Sequence, residues 1–229
     1  MQDMKKTVVR FRLPLGLLLL VLFGLISFQY ISLPAADLQG PKTRDHQVTL
    51  VVSSLLREEH LSRRQLDDEI SARGLSSFLK SLDPLKVYFY QSDVDEFMKE
   101  KSRLDDMFRE GDIQFGYKVF NRFLERVDER VATINDLLDG EFDFTKDEEL
   151  VTDPDTARYP KTPAEARDRW RKRLKYDLLG LKDDKTEDAE SRDRLRRRYR
   201  SFANRMKQTD NDELLEMYLT SITTSYDPH

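Results

Sequence analysis

The chain's 229 residues include three histidines, His46, His60 and His229, and no cysteine. Disulfides, thiolate zinc sites and cysteine nucleophiles are therefore excluded, and no His-Glu-x-x-His zinc motif can be written. Two serines adjoin lysines, Ser81 beside Lys80 and Ser102 beside Lys101. A lysine-activated serine needs the two side chains to meet, and sequence neighbours on a helix point in different directions. Asp93, Asp95 and Glu96 begin like a calcium loop, but Phe97 stands where another oxygen donor is needed and no glycine follows. A helix N-terminus that gathers carboxylates accounts for them better. No Gly-x-Ser-x-Gly or phosphate-cradling glycine loop occurs. The sequence calls for no catalytic residue, no cofactor and no metal.

Arg192, Arg194, Arg196, Arg197, Arg198 and Arg200 crowd about two turns of one helix. Such a run suggests nucleic acid, but Glu187, Asp188, Glu190 and Asp193 lie one turn upstream as ion-pair partners, and no aromatic stacking platform accompanies it. Residues 161–207 carry 17 basic and 9 acidic side chains against 13 and 24 in residues 66–160. Docking of the basic face to the acidic half or to a partner protein is the expected use of this charge, and nucleic acid is not an expected partner.

The elements that place these residues read as helices. Charged residues make up 36% of the chain and only 8 positions are glycine, which favours solvated helices over a sheet with many tight turns. Val48, Val51, Val52, Leu55 and Leu56 mark one face of the first helix. Ser62–Gln65 reads as a capping box for the second, which carries Leu75, Phe78, Leu79 and Leu82 inward and stops at Asp83-Pro84. The β-prone run Val87, Tyr88, Phe89, Tyr90 is too short for a helix, and Tyr88 and Phe89 are expected to be buried anchors. Ser92 is the expected N-cap of a third helix running from Asp93 past Phe97 to Arg109, closed by Gly111. Asp112 caps a fourth, in which Ile113, Tyr117, Phe120, Leu124, Val127, Val131, Ile134 and Leu138 alternate steps of four and three.

Residues 141–161 read as a surface loop with a short extended piece at Phe142–Phe144. Thr162-Pro163-Ala164-Glu165 has the cap, N1 proline and N3 glutamate of a helix start, and Trp170, Leu174, Leu178 and Leu181 form that helix's inner edge up to Gly180. A charged helix follows from about Thr186, and Asp210 with Glu213 caps the last one before Asp227-Pro228-His229. The fold class is all-α, an irregular bundle of about six to seven helices.

An N-terminal hydrophobic segment precedes it. Lys5, Lys6, Arg10 and Arg12 are followed by Leu13–Ile31, nineteen uncharged residues, just long enough to cross a bilayer core at about 1.5 Å per residue. Residues 1–36 are thus a secretory signal or an uncleaved anchor, 37–47 a linker and 48–229 the helical domain. The basic flank stays in the cytoplasm, so the domain is expected to be exported, periplasmic and either soluble or tethered to the inner membrane through Leu13–Ile31.

Phe78, Leu82, Asp83, Pro84, Tyr88, Phe89, Ser92, Asp93 and Phe97, then Phe120, Asn121, Arg122, Trp170, and finally Asp227, Pro228 and His229 carry a resemblance. In order and spacing they resemble the N-terminal helical region of the tail-specific proteases, or C-terminal processing peptidases. The resemblance implies a chain cut short of a PDZ domain and of a core with a serine nucleophile activated by lysine. It implies a non-catalytic scaffold that frames the substrate path and docks adaptor proteins, with protein substrates reached through the parent enzyme. A free-standing, membrane-tethered helical interaction module without peptidase activity is the alternative.

Overall fold

A computed structural model describes residue 38 and residues 40–59, 67–181 and 188–226. The segment Leu13–Ile31, the box at Ser62–Gln65 and the terminal Asp227-Pro228-His229 lie outside the described residues. Among those described, the structure is all-helical: α1 Thr43–Glu59, α2 Asp68–Leu82, α3 Gln91–Phe97, α4 Leu104–Arg109, α5 Gln114–Asp139, α6 Pro163–Leu181, α7 Asp188–Lys207 and α8 Asn211–Thr223. No described helix is long and apolar enough to cross a membrane.

α1 starts at Thr43, inside the segment read as linker. Its inward side is not the one marked by five apolar residues. Val48, Val52 and Leu56 pack on the core, whereas Val51 and Leu55 are 58% and 51% exposed. Each helical residue turns the side chain by about 100°, so a face centred on Asp45 and Thr49, both fully buried, leaves 51 and 55 outside. Asp45 fixes that face by accepting the Lys42 N–H at 2.8 Å and the Tyr117 hydroxyl at 3.3 Å.

The helix expected over 93–109 is broken. α3 ends at Phe97, a 3-10 turn covers Met98–Glu100, and α4 resumes at Leu104. Five consecutive polar residues, Lys99 to Arg103, leave no apolar side chain one turn beyond Phe97. With nothing to bury, that turn gains no packing to hold it, and propensity alone does not sustain so short a helix. Ser92 is not the cap either. It lies exposed inside α3, and Tyr90 occupies the N-cap position with its N–H on the Asp93 carboxylate at 3.0 Å.

α4 ends as expected on Gly111, at φ +71°, with the Asp112 N–H on the Met107 carbonyl and the Gly111 N–H on the Phe108 carbonyl. A side chain there would also strike the His46 ring, 2.6 Å from the Cβ position. Thr162 caps α6 through the Glu165 N–H at 3.1 Å, and Asp210 with Glu213 forms the capping box of α8. α6 runs one residue past Gly180. The 141–161 loop contains no strand at Phe142–Phe144.

Two apolar clusters result. The larger gathers α2, α3, α4, the first half of α5, and α8, with Phe97, Phe120 and Phe123 fully buried. α2 packs closely on α8, where Gly74 lets the Ile222 backbone come within 3.3 Å of a Cβ position. The smaller cluster joins the C-terminal half of α5 to Trp170, Leu174 and Leu178 of α6 and to Leu195 and Tyr199 of α7.

Candidate functional site

The seam between the two clusters is the connector from Asp83 to Gln91. It has the alternation of a strand without being one. Val87 faces the smaller cluster, Phe89 is fully buried in the larger, and Tyr88 between them packs on both. Pairing with another strand would satisfy this backbone in a sheet protein, but here side chains do it. The Asp83 carboxylate, 1% exposed, accepts the N–H groups of Val87, Tyr88 and Phe89 at 2.8, 2.9 and 3.0 Å. Burial pushes its carboxyl pKa up, against the pull of those three donors and of Arg130.

The connector's carbonyls are met from α5 and α6. Trp170 donates its indole N–H to the Val87 carbonyl at 3.0 Å, Arg130 reaches the Val87 and Tyr88 carbonyls at 3.3 and 2.8 Å, and Arg169 takes that of Lys86 at 3.0 Å. Lys86 is held at φ +55° with its ammonium 2.7 Å from the Ala157 carbonyl, so the 141–161 loop is stitched to the same place.

Beyond Phe89 the tie is ionic. Asp93, 1% exposed, accepts Arg122 at 2.7 Å and Arg126 at 2.8 Å through both oxygens, besides the Tyr90 N–H. Burial alone would raise its pKa, but the two guanidinium groups and the N–H hold the carboxyl below its ordinary value. The Tyr90 ring lies under the Arg126 and Arg130 guanidiniums, 4.8 and 4.4 Å from its centroid, and its hydroxyl accepts Arg130 at 2.9 Å.

Of the residues singled out in the sequence, this seam collects Leu82, Asp83, Tyr88, Phe89, Asp93, Phe97, Arg122 and Trp170. Phe89 meets Phe97 edge-on at 5.7 Å, and Tyr88 meets Trp170 at 5.6 Å. Phe78 is buried against Tyr218 at 5.2 Å, and Phe120 against Phe123 at 6.1 Å. Pro84 is exposed at the connector's outer bend, and Asn121 and Ser92 are exposed and outside the network. Sequence reasoning missed Arg126, Arg130 and Arg169 as working parts. The signal was there in Arg122, Arg126 and Arg130, one helical edge at four-residue spacing beside an otherwise apolar stripe.

Ser81 and Lys80, neighbours in sequence, do not meet. The Ser81 hydroxyl donates to the Phe78 carbonyl at 2.8 Å while Lys80 reaches out to Asp155 at 3.4 Å, and no group of acidic and histidine side chains is placed to hold a metal ion. The arginine run of α7 is partly consumed by acids: Arg192 pairs with Asp188, and Arg196 with Asp193 and Asp139.

Fold and seam thus define a helical packing domain whose centre is a satisfied, buried turn. The model of the tail specific protease N-terminal domain matches residues 51–229, and the chain belongs to that family through this domain. It is similar to the tail-specific protease of Haemophilus influenzae, with 28% identity over 201 residues, 86% of this chain. Those residues span 29% of that relative's length.

Proposed function

We propose that this chain serves as the non-catalytic N-terminal scaffold of an exported tail-specific endopeptidase, framing the path of protein substrates and offering a surface to an adaptor protein. The observation that carries this reading is the match of the tail specific protease N-terminal domain over residues 51–229. In the family it resembles, a serine activated by lysine does the cleaving. The seam instead spends its charged groups on backbone and on each other, which suits a part whose task is to hold geometry. The basic N-terminal flank and the apolar run Leu13–Ile31 support export, with the helical domain on the far side of the membrane.

Incubating the purified chain with an unfolded protein tests the catalytic half of the proposal. No cleavage is expected, and cleavage that is lost on substituting one of the chain's own serines would overturn it. A reporter fused after His229 tests export. Activity confined to the cytoplasm would defeat that part alone.

A further inference from the structure

Outside the seam, between the Asp83-Pro84-Leu85 bend and helices α6, α7 and α8, runs an open groove of about 370 Å³. Its walls are mainly apolar, formed by Leu85, Tyr88, Trp170, Phe202, Met206 and Met217. Among the described residues one cation lines it, Arg173 of α6, and none of those lining residues offers it a free carboxylate. Asp83 is committed to three backbone N–H groups. Asp177, one turn on from Arg173, takes the Tyr199 hydroxyl at 2.8 Å and Arg198 at 3.7 Å. Arg173 Nε is buried without a hydrogen-bond partner among the described residues. The guanidinium also hydrogen-bonds the Tyr199 hydroxyl, a neutral group, and among the described residues it forms no ion pair. A cation partly withdrawn from water and held only by neutral partners in a largely apolar trough favours an anion that arrives with apolar surface of its own.

We infer that this groove is a docking site for a protein segment that presents a large apolar side chain beside an acidic one. The apolar side chain lies between the ring of Tyr88 and the two methionines, whose unbranched thioether chains adapt to differing shapes. The carboxylate meets Arg173. Stacking of Phe202 on Tyr88, centroids 5.3 Å apart, closes the floor, so a ligand enters from the solvent side. The inference rests on the groove's own geometry, and stands or falls apart from whether the chain serves a peptidase.

Trp170 is the chain's only tryptophan and lines the groove, so its fluorescence reports occupancy directly. The probes are the blocked pentapeptide Gly-Leu-Phe-Glu-Gly, its counterpart with glutamine for glutamate, and dodecanoate, all titrated into the 229-residue chain. The glutamate peptide is expected to give a saturable change, with the glutamine peptide at least fivefold weaker. Arg173→Gln should bring the two peptides to equal affinity, Arg173→Lys should retain part of the preference, and Met217→Glu should abolish the response by supplying an internal carboxylate. Equal binding of both peptides to the unaltered chain, no saturable change with either, or a response to dodecanoate alone would each overturn the proposal. Thermal melts accompany the variants. Loss of the glutamate preference in an Arg173→Gln chain that melts like its parent is the supporting result.

Discussion

Two irregular stretches cross this helical domain, the 83–91 connector and the 141–161 loop, and they are held by opposite means. The connector is buried or half-buried except at Pro84, and its polar groups are met by Asp83, Arg130, Arg169 and Trp170 at fixed hydrogen-bond distances. The loop is mostly exposed. It is pinned at a few points, with Glu148 against Arg171 and Lys175, the Pro160 carbonyl on the Gln91 N–H at 2.9 Å, and Ala157 buried. The same backbone chemistry is thus cheap to leave loose where water satisfies it and demands dedicated partners where water is excluded.

The sharpest way to break that contrast is to empty the connector's core. Phe89→Ala should cost about 3–5 kcal/mol, a large share of a typical domain's stability, and leave the chain unfolded or melting far below its parent. A parent-like thermal melt would mean that the connector does not anchor the two clusters.

Asp83→Asn comes next. The amide keeps the shape but turns a donor toward backbone N–H groups that need acceptors, for an expected loss of about 2–3 kcal/mol by denaturant titration. A change within about 0.5 kcal/mol, as for an ordinary surface site, would remove Asp83 from the centre of the picture.

Asp93 sharpens the comparison through pH. Its carboxyl is held below the ordinary value of 3.8, so its stabilising contribution is fully present above that pH and drains away as pH falls through the lower folded value. Asp93→Asn should therefore melt below its parent at neutral pH, with the gap closing below about pH 4. A gap that stays constant down to pH 3 or so would show that packing rather than charge is what the substitution disturbs.

The smallest effect belongs to the loop. Glu148 is held down to about 2 by Arg171 and Lys175, and its share of stability likewise fades only as pH falls from the ordinary 4.5 toward that value. Because an ion pair gains little once the cost of ordering two long side chains is subtracted, Glu148→Gln should lower the melting temperature at neutral pH less than Asp83→Asn does, while speeding amide exchange within residues 144–150. A loss matching that of Asp83→Asn would erase the distinction between the two stretches.

Much of this was legible in the residue pattern. The long stripe of α5, the caps at Thr162 and Asp210, the glycine stop at position 111 and the burial of Phe89 all follow from local spacing and local chemistry. The break after Phe97 was hidden because Met98, Leu104, Met107 and Phe108 keep helical spacing across it, while the failure lies in what is missing at 101. The inward side of α1 was hidden by Asp45, a buried carboxylate that spacing rules place outside. The arginines of α5 sat in plain view. Their role depended on groups 29 to 43 residues away in sequence, and pairing over that distance leaves no periodic trace.

The Asp83 carboxylate also sets when this stretch can meet solvent. The amide protons of Val87, Tyr88 and Phe89 belong to no helix or sheet, and ordinarily such groups trade with water quickly. Here each is sequestered by a carboxylate that is itself inaccessible, at the junction where Tyr88 packs on both clusters. Releasing them requires the clusters to part. Their exchange should therefore follow the opening of the domain as one unit, slower than many amides inside the shorter helices, so that a turn without regular structure marks the last part of the chain to let go.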